Sequence, residues 1–308
     1  MKKVFIDGSV GTTGLRIYER LSARKDLQLV SLPENLRKDA SARKEMLNSV
    51  DLAFLCLPDD AAREAVAMVE NPAVTVIDAS TAHRTLPDWA YGFPELDESF
   101  LEKIKNSKRI AVPGCHASGF ISLVYPLIKA GILSKDALLT CHSITGYSGG
   151  GKKMIAEYES EDVNVLLGAP RQYAITQNHK HLKEMKGISG LENAPIFCPI
   201  VSNFYSGMTV TVPLFKSMIS ASAEEIKAIY KNAYNGKIVQ YKESVDENGF
   251  ISGLAVANKD GMQITVAGNE DRILLVACYD NLGKGASGAA VECMNISLGV
   301  DKTTGLVL

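Results

Sequence analysis

Over the first 112 residues, short apolar runs alternate with stretches of helical spacing. Residues 4–7, 27–30, 52–57, 74–78 and 109–112 read as strands, and residues 12–23, 40–48 and 60–70 carry the 3.6-residue period of amphipathic helices. Strands that are apolar throughout, separated by helices, predict a parallel sheet covered on both faces. After about residue 130 the pattern changes. Residues 138–144, 208–214, 263–267 and 273–278 read as longer strands, several of them alternating, with one clear helix at 222–234. That pattern predicts a mixed or antiparallel sheet with helices on one side. A closing helix at 285–298 has no strand after it and is expected to return to the first domain. The fold class expected is α/β: a Rossmann-like doubly wound parallel sheet plus an α+β domain with a mixed or antiparallel sheet. The expected division is 1–114 with 286–308, and 115–285.

Composition narrows the function classes. At 308 residues the chain is long for one hydrophobic core, so two domains are expected. Hydrophobic residues at 46%, charged residues at 22% and a net charge of −2 describe an ordinary globular protein, with no electrostatic case for nucleic acid or an anionic membrane. No apolar run is long enough to span a bilayer. No basic-then-apolar leader precedes Val4, which makes the cytoplasm the expected location. Six cysteines lie scattered without a C-x-x-C pair, so neither a disulfide framework nor a zinc site is expected.

Gly8-Ser9-Val10-Gly11-Thr12-Thr13-Gly14 joins the first strand to the first helix. Its spacing is G-x-x-G-x-x-G. The physics is that of a dinucleotide fingerprint, in which glycines let the backbone approach a pyrophosphate at a helix N-terminus. A tight turn without a ligand is the alternative. Ser31 and Arg37, after the second strand, suit a 2′-phosphate and favour NADP; Glu34 could instead play the acidic role of an NAD site.

Cys115 is the residue best placed for covalent chemistry. Pro113-Gly114-Cys115-His116 sits where a buried strand becomes an apolar helix, and a helix N-terminus favours a thiolate. Such a thiolate attacks carbonyls beside N–H donors suited to the oxyanion. The alternative is a small buried apolar residue. His179 and His181 are the paired histidines; if extended, they point the same way, and one could serve as acid–base. A metal is not expected, since no third ligand is in view. Ser80 and Arg84, after the fourth strand, could hold cofactor or an anionic substrate group. Gly146–Gly151 with Ser148 and Lys152 could cradle an anion, or act as a flexible link. The turn at 281–288, with Asn281 and Lys284, could contact the nicotinamide end or merely join domains.

With these pieces in place the chain resembles the semialdehyde dehydrogenase superfamily, and within it the shorter type of the acyl-phosphate reductases of arginine biosynthesis. The resemblance rests on the Gly8/Gly11/Gly14 turn, on Asp78-Ala79-Ser80-Thr81-Ala82-His83-Arg84, on Pro113-Gly114-Cys115, on Gly146–Gly151 and on His179-Lys180-His181 with Glu184. It extends to Asp280-Asn281-Leu282-Gly283-Lys284-Gly285-Ala286, Met294-Asn295 and Thr303-Thr304-Gly305-Leu306. Ala82, in place of an acidic residue, and His116, often aromatic in relatives, depart from the pattern. The resemblance implies an oxidoreductase that reduces N-acetyl-γ-glutamyl phosphate with NADPH through a cysteine thioester. Its implied site comprises Cys115, His179 and His181 as catalytic residues. Gly8, Ser9, Gly11, Thr12, Thr13, Gly14, Ser31, Arg37, Ser80, Asn281 and Lys284 would bind the cofactor, and Arg84, Ser148, Lys152 and Glu184 the substrate. A homodimer or homotetramer is implied too. The rival readings are an aspartate-semialdehyde dehydrogenase, a non-catalytic NADP-binding sensor and a Cys–His hydrolase.

Overall fold

The computed structural model describes all 308 residues. The chain opens with β1 (Lys2–Asp7), α1 (Thr12–Ser22), β2 (Leu27–Val30), α2 (Ala40–Ser49), β3 (Leu52–Leu55), α3 (Asp59–Met68), β4 (Thr75–Asp78), β5 (Ala90–Tyr91), α4 (Glu98–Asn106) and β6 (Arg109–Ala111). It continues through α5 (Cys115–Lys129), β7 (Thr140–Gly146), α6 (Gly151–Tyr158), β8 (Arg171–Gln172), α7 (His181–Ser189), β9 (Ile196–Ser202) and β10 (Met208–Phe215). It closes with α8 (Ala223–Ala233), β11 (Val239–Tyr241), β12 (Met262–Gly268), β13 (Arg272–Tyr279) and α9 (Gly288–Ser297). Two compact units result. One comprises 1–94, 98–113 and 286–306; the other comprises 95–97, 114–285 and 307–308.

The first unit is built on a six-stranded sheet of order β2-β1-β3-β4-β6-β5, with every pairing parallel. Its strands are buried on both faces, as their unbroken apolar composition requires. Val4, Ile6 and Phe54 face a cluster that includes Ile17 and Leu21 of α1 and Ala290, Val291 and Met294 of α9. Phe5, Ala53 and Leu55 face Leu47 of α2 and Ala65 of α3. Strand order reverses direction at β1, with β2 on one side and β3 on the other. The carboxyl ends of β1 and β3 therefore form the switch point at which α/β sheets bind ligands. The glycine turn leaves β1 at that point. The short β5 and helix α4 were not foreseen from the sequence.

The second unit carries a mixed seven-stranded sheet, β11-β12-β13-β10-β7-β9-β8. One face bears Ser143, Phe197, Val210, Val212, Leu275 and Tyr279, all buried. On this side α5 packs against β10 and β13, and α7 and α8 pack against α5. Pairing register puts Ile144, Ile200, Pro213, Phe215 and Leu274 on the opposite face, where Phe215 is 64% exposed and Ile144 and Leu274 are each 39% exposed. The sequence pattern missed β9, whose internal Pro199 argues against a strand, and also α6 and α7. It also predicted a single closing helix from 285, whereas a π-helical turn at Gly283–Ser287 precedes α9.

Helix α5 is buried on nearly every side, from His116 to Leu127. Gly119 lets it approach the sheet: a Cβ there would lie 2.6 Å from both the Tyr279 hydroxyl and Val210 Cγ2. In an open helix, glycine to alanine adds stability. Here overpacking of about 1–3 kcal/mol should win. Gly119→Ala is therefore expected to lower the urea midpoint, and an unchanged or higher midpoint would show that the contact is loose.

Candidate functional site

In the first unit, the turn after β1 has the build of a phosphate-binding loop. Gly8 has φ +86°, and a Cβ on it would lie 2.3 Å from the Cys56 carbonyl oxygen; one on Gly14 would lie 2.4 Å from the Gly8 oxygen. Only glycine fits either position. Gly11 starts α1 without a side-chain cap, leaving the first-turn N–H groups for another acceptor. Thr12 Oγ1 is buried there with no protein partner. Uncapped donors plus an orphaned hydroxyl fit a dinucleotide pyrophosphate. Ser9 and Thr13 are half-buried on the same turn, while Ser31 and Arg37 are exposed on the β2–α2 loop.

A residue the sequence reading missed lies beside this turn. Arg43 of α2 donates to Asp7 Oδ2 through Nη2 at 2.8 Å and Nε at 3.2 Å. It compensates a buried carboxylate that would otherwise stand one residue from the phosphate-binding turn. Spacing from the glycines carries no signal for it. At the end of β4, buried Asp78 accepts from Ser80 N–H (2.9 Å) and Ser80 Oγ (2.6 Å) and pairs with His83 Nδ1 (2.6 Å). Arg84 donates to the carbonyls of Val112 (2.8 Å) and Ala79 (3.1 Å). Ser80 and Arg84 are thus held in a fixed loop.

In the second unit, Cys115 is the first residue of α5 and is half-buried. Gly114 precedes it in extended conformation, and no side chain caps the helix. Glu184 Oε1 accepts the Gly114 N–H at 2.8 Å, anchoring the residue before the thiol. The Tyr279 hydroxyl donates to the Cys115 carbonyl (2.5 Å) and accepts the Gly119 N–H (2.9 Å). The loop after β13 closes against the same residue, since a Cβ on Gly285 would stand 3.1 Å from Cys115 Cβ. That loop is stiff. Asp280 accepts from the N–H groups of Leu282 and Gly283, and Lys284 makes a buried ion pair with Glu95 at 2.7 Å. Asn281 accepts from Gly207 N–H and donates to Ser148 Oγ, both at 2.9 Å. Asn281 and Lys284, expected to hold cofactor, therefore have protein partners within this unit. Ser148 is buried at the start of the glycine run, and Lys152 is exposed on α6.

The histidines do meet, though not as an extended strand. Lys180 is in αR conformation and His181 begins α7, so a turn rather than strand alternation folds the rings together at a 4.7 Å centroid distance. The His181 N–H donates to His179 Nδ1 at 3.2 Å. A third ring joins them: His116 lies 5.9 Å from His179 and 5.7 Å from His181. Phe197 packs edge-on against both His116 and His179. Burial, reinforced by His179, pushes the His116 pKa down to about 3; burial and the Lys180 charge bring His179 to about 4. Both imidazoles are neutral near pH 7. Neutral imidazoles can accept a proton from a thiol.

Residues 115–281 match the family described as "Semialdehyde dehydrogenase, dimerisation domain", and residues 19–104 the one described as "Semialdehyde dehydrogenase, NAD binding domain". The chain is 46% identical to the N-acetyl-gamma-glutamyl-phosphate reductase of Rhizobium meliloti, over 96% of this chain and 98% of that one. It is also 46% identical to N-acetyl-gamma-glutamyl-phosphate reductase 2 of a Nostoc species, over 99% of both chains. Among solved structures it resembles aspartate semialdehyde dehydrogenase II of Vibrio cholerae complexed with ASA, with a TM-score of 0.73 at 18% identity, covering 97% of this chain and 98% of that one. The Francisella tularensis aspartate semialdehyde dehydrogenase gives 0.70 at 16% identity, covering 96% and 99%. At such identities the likeness is one of fold.

The depressed histidines predict how stability depends on pH. Each has a folded pKa below its unfolded value near 6.5, so the unfolded chain binds more protons in between. Their contribution is fully present above about pH 6.5 and is lost as pH falls toward 4 and 3. The urea midpoint is expected to drop between pH 7 and pH 5, a window above the ordinary carboxylate range, and to drop less in His116→Phe. An identical drop in the variant would mean that His116 is not held neutral by the fold.

Proposed function

The chain belongs to the N-acetyl-γ-glutamyl-phosphate reductase family within the semialdehyde dehydrogenases, and from that premise we infer that it reduces N-acetyl-γ-glutamyl phosphate to N-acetylglutamate semialdehyde with NADPH, releasing inorganic phosphate. The observation that carries this reading is Cys115, half-buried at the uncapped N-terminus of α5 in the same unit as three clustered histidines.

In this reaction the Cys115 sulfur attacks the acyl carbon, and the carbon–oxygen bond to phosphate breaks, leaving a thioester on the enzyme. The Gly8–Gly14 turn would hold the dinucleotide, which would supply the hydride for reduction of that thioester. The resulting hemithioacetal collapses to the aldehyde and returns the thiolate. An imidazole of the His179–His181 pair takes the thiol proton and gives it back; the lowered pKa of His179 suits the first task. The uncapped N–H groups at the start of α5 are assigned to the carbonyl oxygen as it gains charge. Glu184 holds Gly114, and with it the first turn of the helix. The substrate is an anion at both ends, and Arg84, Ser148 and Lys152 are the groups assigned to its carboxylate and phosphate. Ser31 and Arg37, exposed beside the glycine turn, are assigned to the 2′-phosphate of NADP. The same reading assigns the enzyme to the cytoplasm, where reductant and a short-lived acyl phosphate meet.

The partly exposed apolar face of the seven-stranded sheet is assigned to self-association, as a homodimer or a tetramer built from dimers. Its apolar side chains are spread over adjacent strands, as in an interface rather than a solvated sheet.

Two experiments test these assignments. In the reverse direction, N-acetylglutamate semialdehyde, phosphate and NADP should produce reduced-nicotinamide absorbance. Cys115→Ser should lose about a thousandfold or more in kcat, and single replacement of His179 and His181 should depress one variant far more than the other. Turnover of aspartate semialdehyde at an equal rate would move the assignment to the neighbouring substrate. For the assembly, Ile144→Glu combined with Leu274→Glu should give a folded monomer by light scattering. A variant that keeps the wild-type mass would move the interface elsewhere.

A further inference from the structure

His116 follows the thiol directly and has no part in the reaction as described. It is buried, with both ring nitrogens engaged: Nδ1 lies 2.6 Å from Ser143 Oγ and Nε2 lies 2.7 Å from the Tyr173 hydroxyl. The direction of these two bonds follows from what each partner can do. Ser143 is fully buried on β7, and its hydroxyl makes no other hydrogen bond in the protein. Its proton must therefore go to His116 Nδ1; the reverse arrangement would leave a buried O–H without an acceptor, at about 1–3 kcal/mol. A neutral imidazole that accepts at Nδ1 carries its own proton on Nε2, and Nε2–H then donates to the Tyr173 oxygen.

Tyr173 is left with a proton that cannot point at His116. Its hydroxyl has no other hydrogen bond within the protein. The phenol stays protonated, chiefly because it is buried and secondarily because the charge of nearby Cys115 disfavours its ionisation. The phenol is thus a donor whose oxygen is fixed by His116, the residue next to the thiol, and whose proton has no partner within the protein.

We propose that Ser143 and His116 are positioning residues that turn the Tyr173 O–H outward, as a fixed donor to the oxygen that gains negative charge when Cys115 attacks a carbonyl. This rests on the thioester reading of Cys115. A donor held in this way needs no reorientation as charge develops, which is why such groups are worth about 100- to 1000-fold in kcat. His116 acts only through Tyr173, and Ser143 only through His116. An imidazole that did no more than fill space against Phe197 would not need a defined tautomer.

The tautomer is directly measurable. With only five histidines, protein labelled with ¹⁵N-histidine and free of substrate and cofactor should show His116 with a protonated Nε2 and a bare, accepting Nδ1. The opposite tautomer overturns the proposal. In Ser143→Ala the Nδ1 acceptor loses its donor, and the His116 signals should shift toward a mixture of tautomers; unchanged signals also overturn it. In kinetics, Tyr173→Phe and His116→Phe should each lower kcat by about 100-fold with KM within about threefold, and the double variant should be no slower than either single variant. A His116→Phe rate within twofold of wild type, or a double variant whose losses multiply, contradicts the relay. Should His116→Phe fail to fold, the wild-type tautomer still decides. Failure of the thioester reading would appear separately, as retained turnover in Cys115→Ser.

Discussion

The second unit depends on how closely helix α5 lies on its sheet. Tyr279, at the end of β13, puts its hydroxyl between the Cys115 carbonyl and the Gly119 N–H, an i, i+4 pair of the helix's first turn. A side chain entering a helical ladder usually bends the helix or marks a place where it must not move. Here the position is the nucleophile's own peptide group. Glu184 secures the residue before it, and the Gly283–Gly285 loop closes on its Cβ. Two of these contacts require the absence of a side chain, at Gly119 and Gly285. The thiol is thus placed by backbone held from three directions, with its own side chain left for chemistry.

Buried titratable groups are accommodated in two ways. Buried carboxylates gather donors: Asp78 takes Ser80 twice and His83, Asp7 takes the fork of Arg43, and Asp280 takes the N–H groups of Leu282 and Gly283. Paired charges of this kind are fixed and suited to holding a ligand's polar framework. In the histidine cluster, His116 and His179 pack against Phe197, and burial lowers the pKa of each instead. A site that must accept a proton benefits from bases that arrive empty. Lys284, in the second unit, is paired with Glu95 in the short excursion of residues 95–97.

Much of this was legible in the sequence because the signals were local. Continuous apolar strands gave the parallel sheet, the glycine spacing gave the turn after β1, and Pro113-Gly114-Cys115 gave the strand-to-helix junction. What the sequence concealed was assembled from distance. Ser143, Tyr173 and His116 come from a strand, a loop and a helix, and no spacing links them. Arg43 gave no signal, since its role is to compensate Asp7 across 36 residues. The His179–His181 pair was legible as a pair but not in conformation, because two-residue spacing reads as a strand, whereas the structure turns into α7 there. Pro199 hid β9 by breaking the usual rule for strand interiors.

The solved structures show how little of the chemistry the fold specifies. A frame shared at 18% identity is shared with aspartate semialdehyde dehydrogenases, so the choice between substrates must lie in side chains, not in topology. His116 combines an aromatic volume with two hydrogen-bonding nitrogens. Placed between Ser143 and Tyr173, those nitrogens convert a packing position into one with a direction. A phenylalanine there would leave the Ser143 hydroxyl buried without an acceptor, so the two residues belong together as a pair: serine on β7 makes sense only with an acceptor on α5. In this way a residue beside the nucleophile can set how its surroundings donate hydrogen bonds while the nucleophile itself stays where the helix puts it.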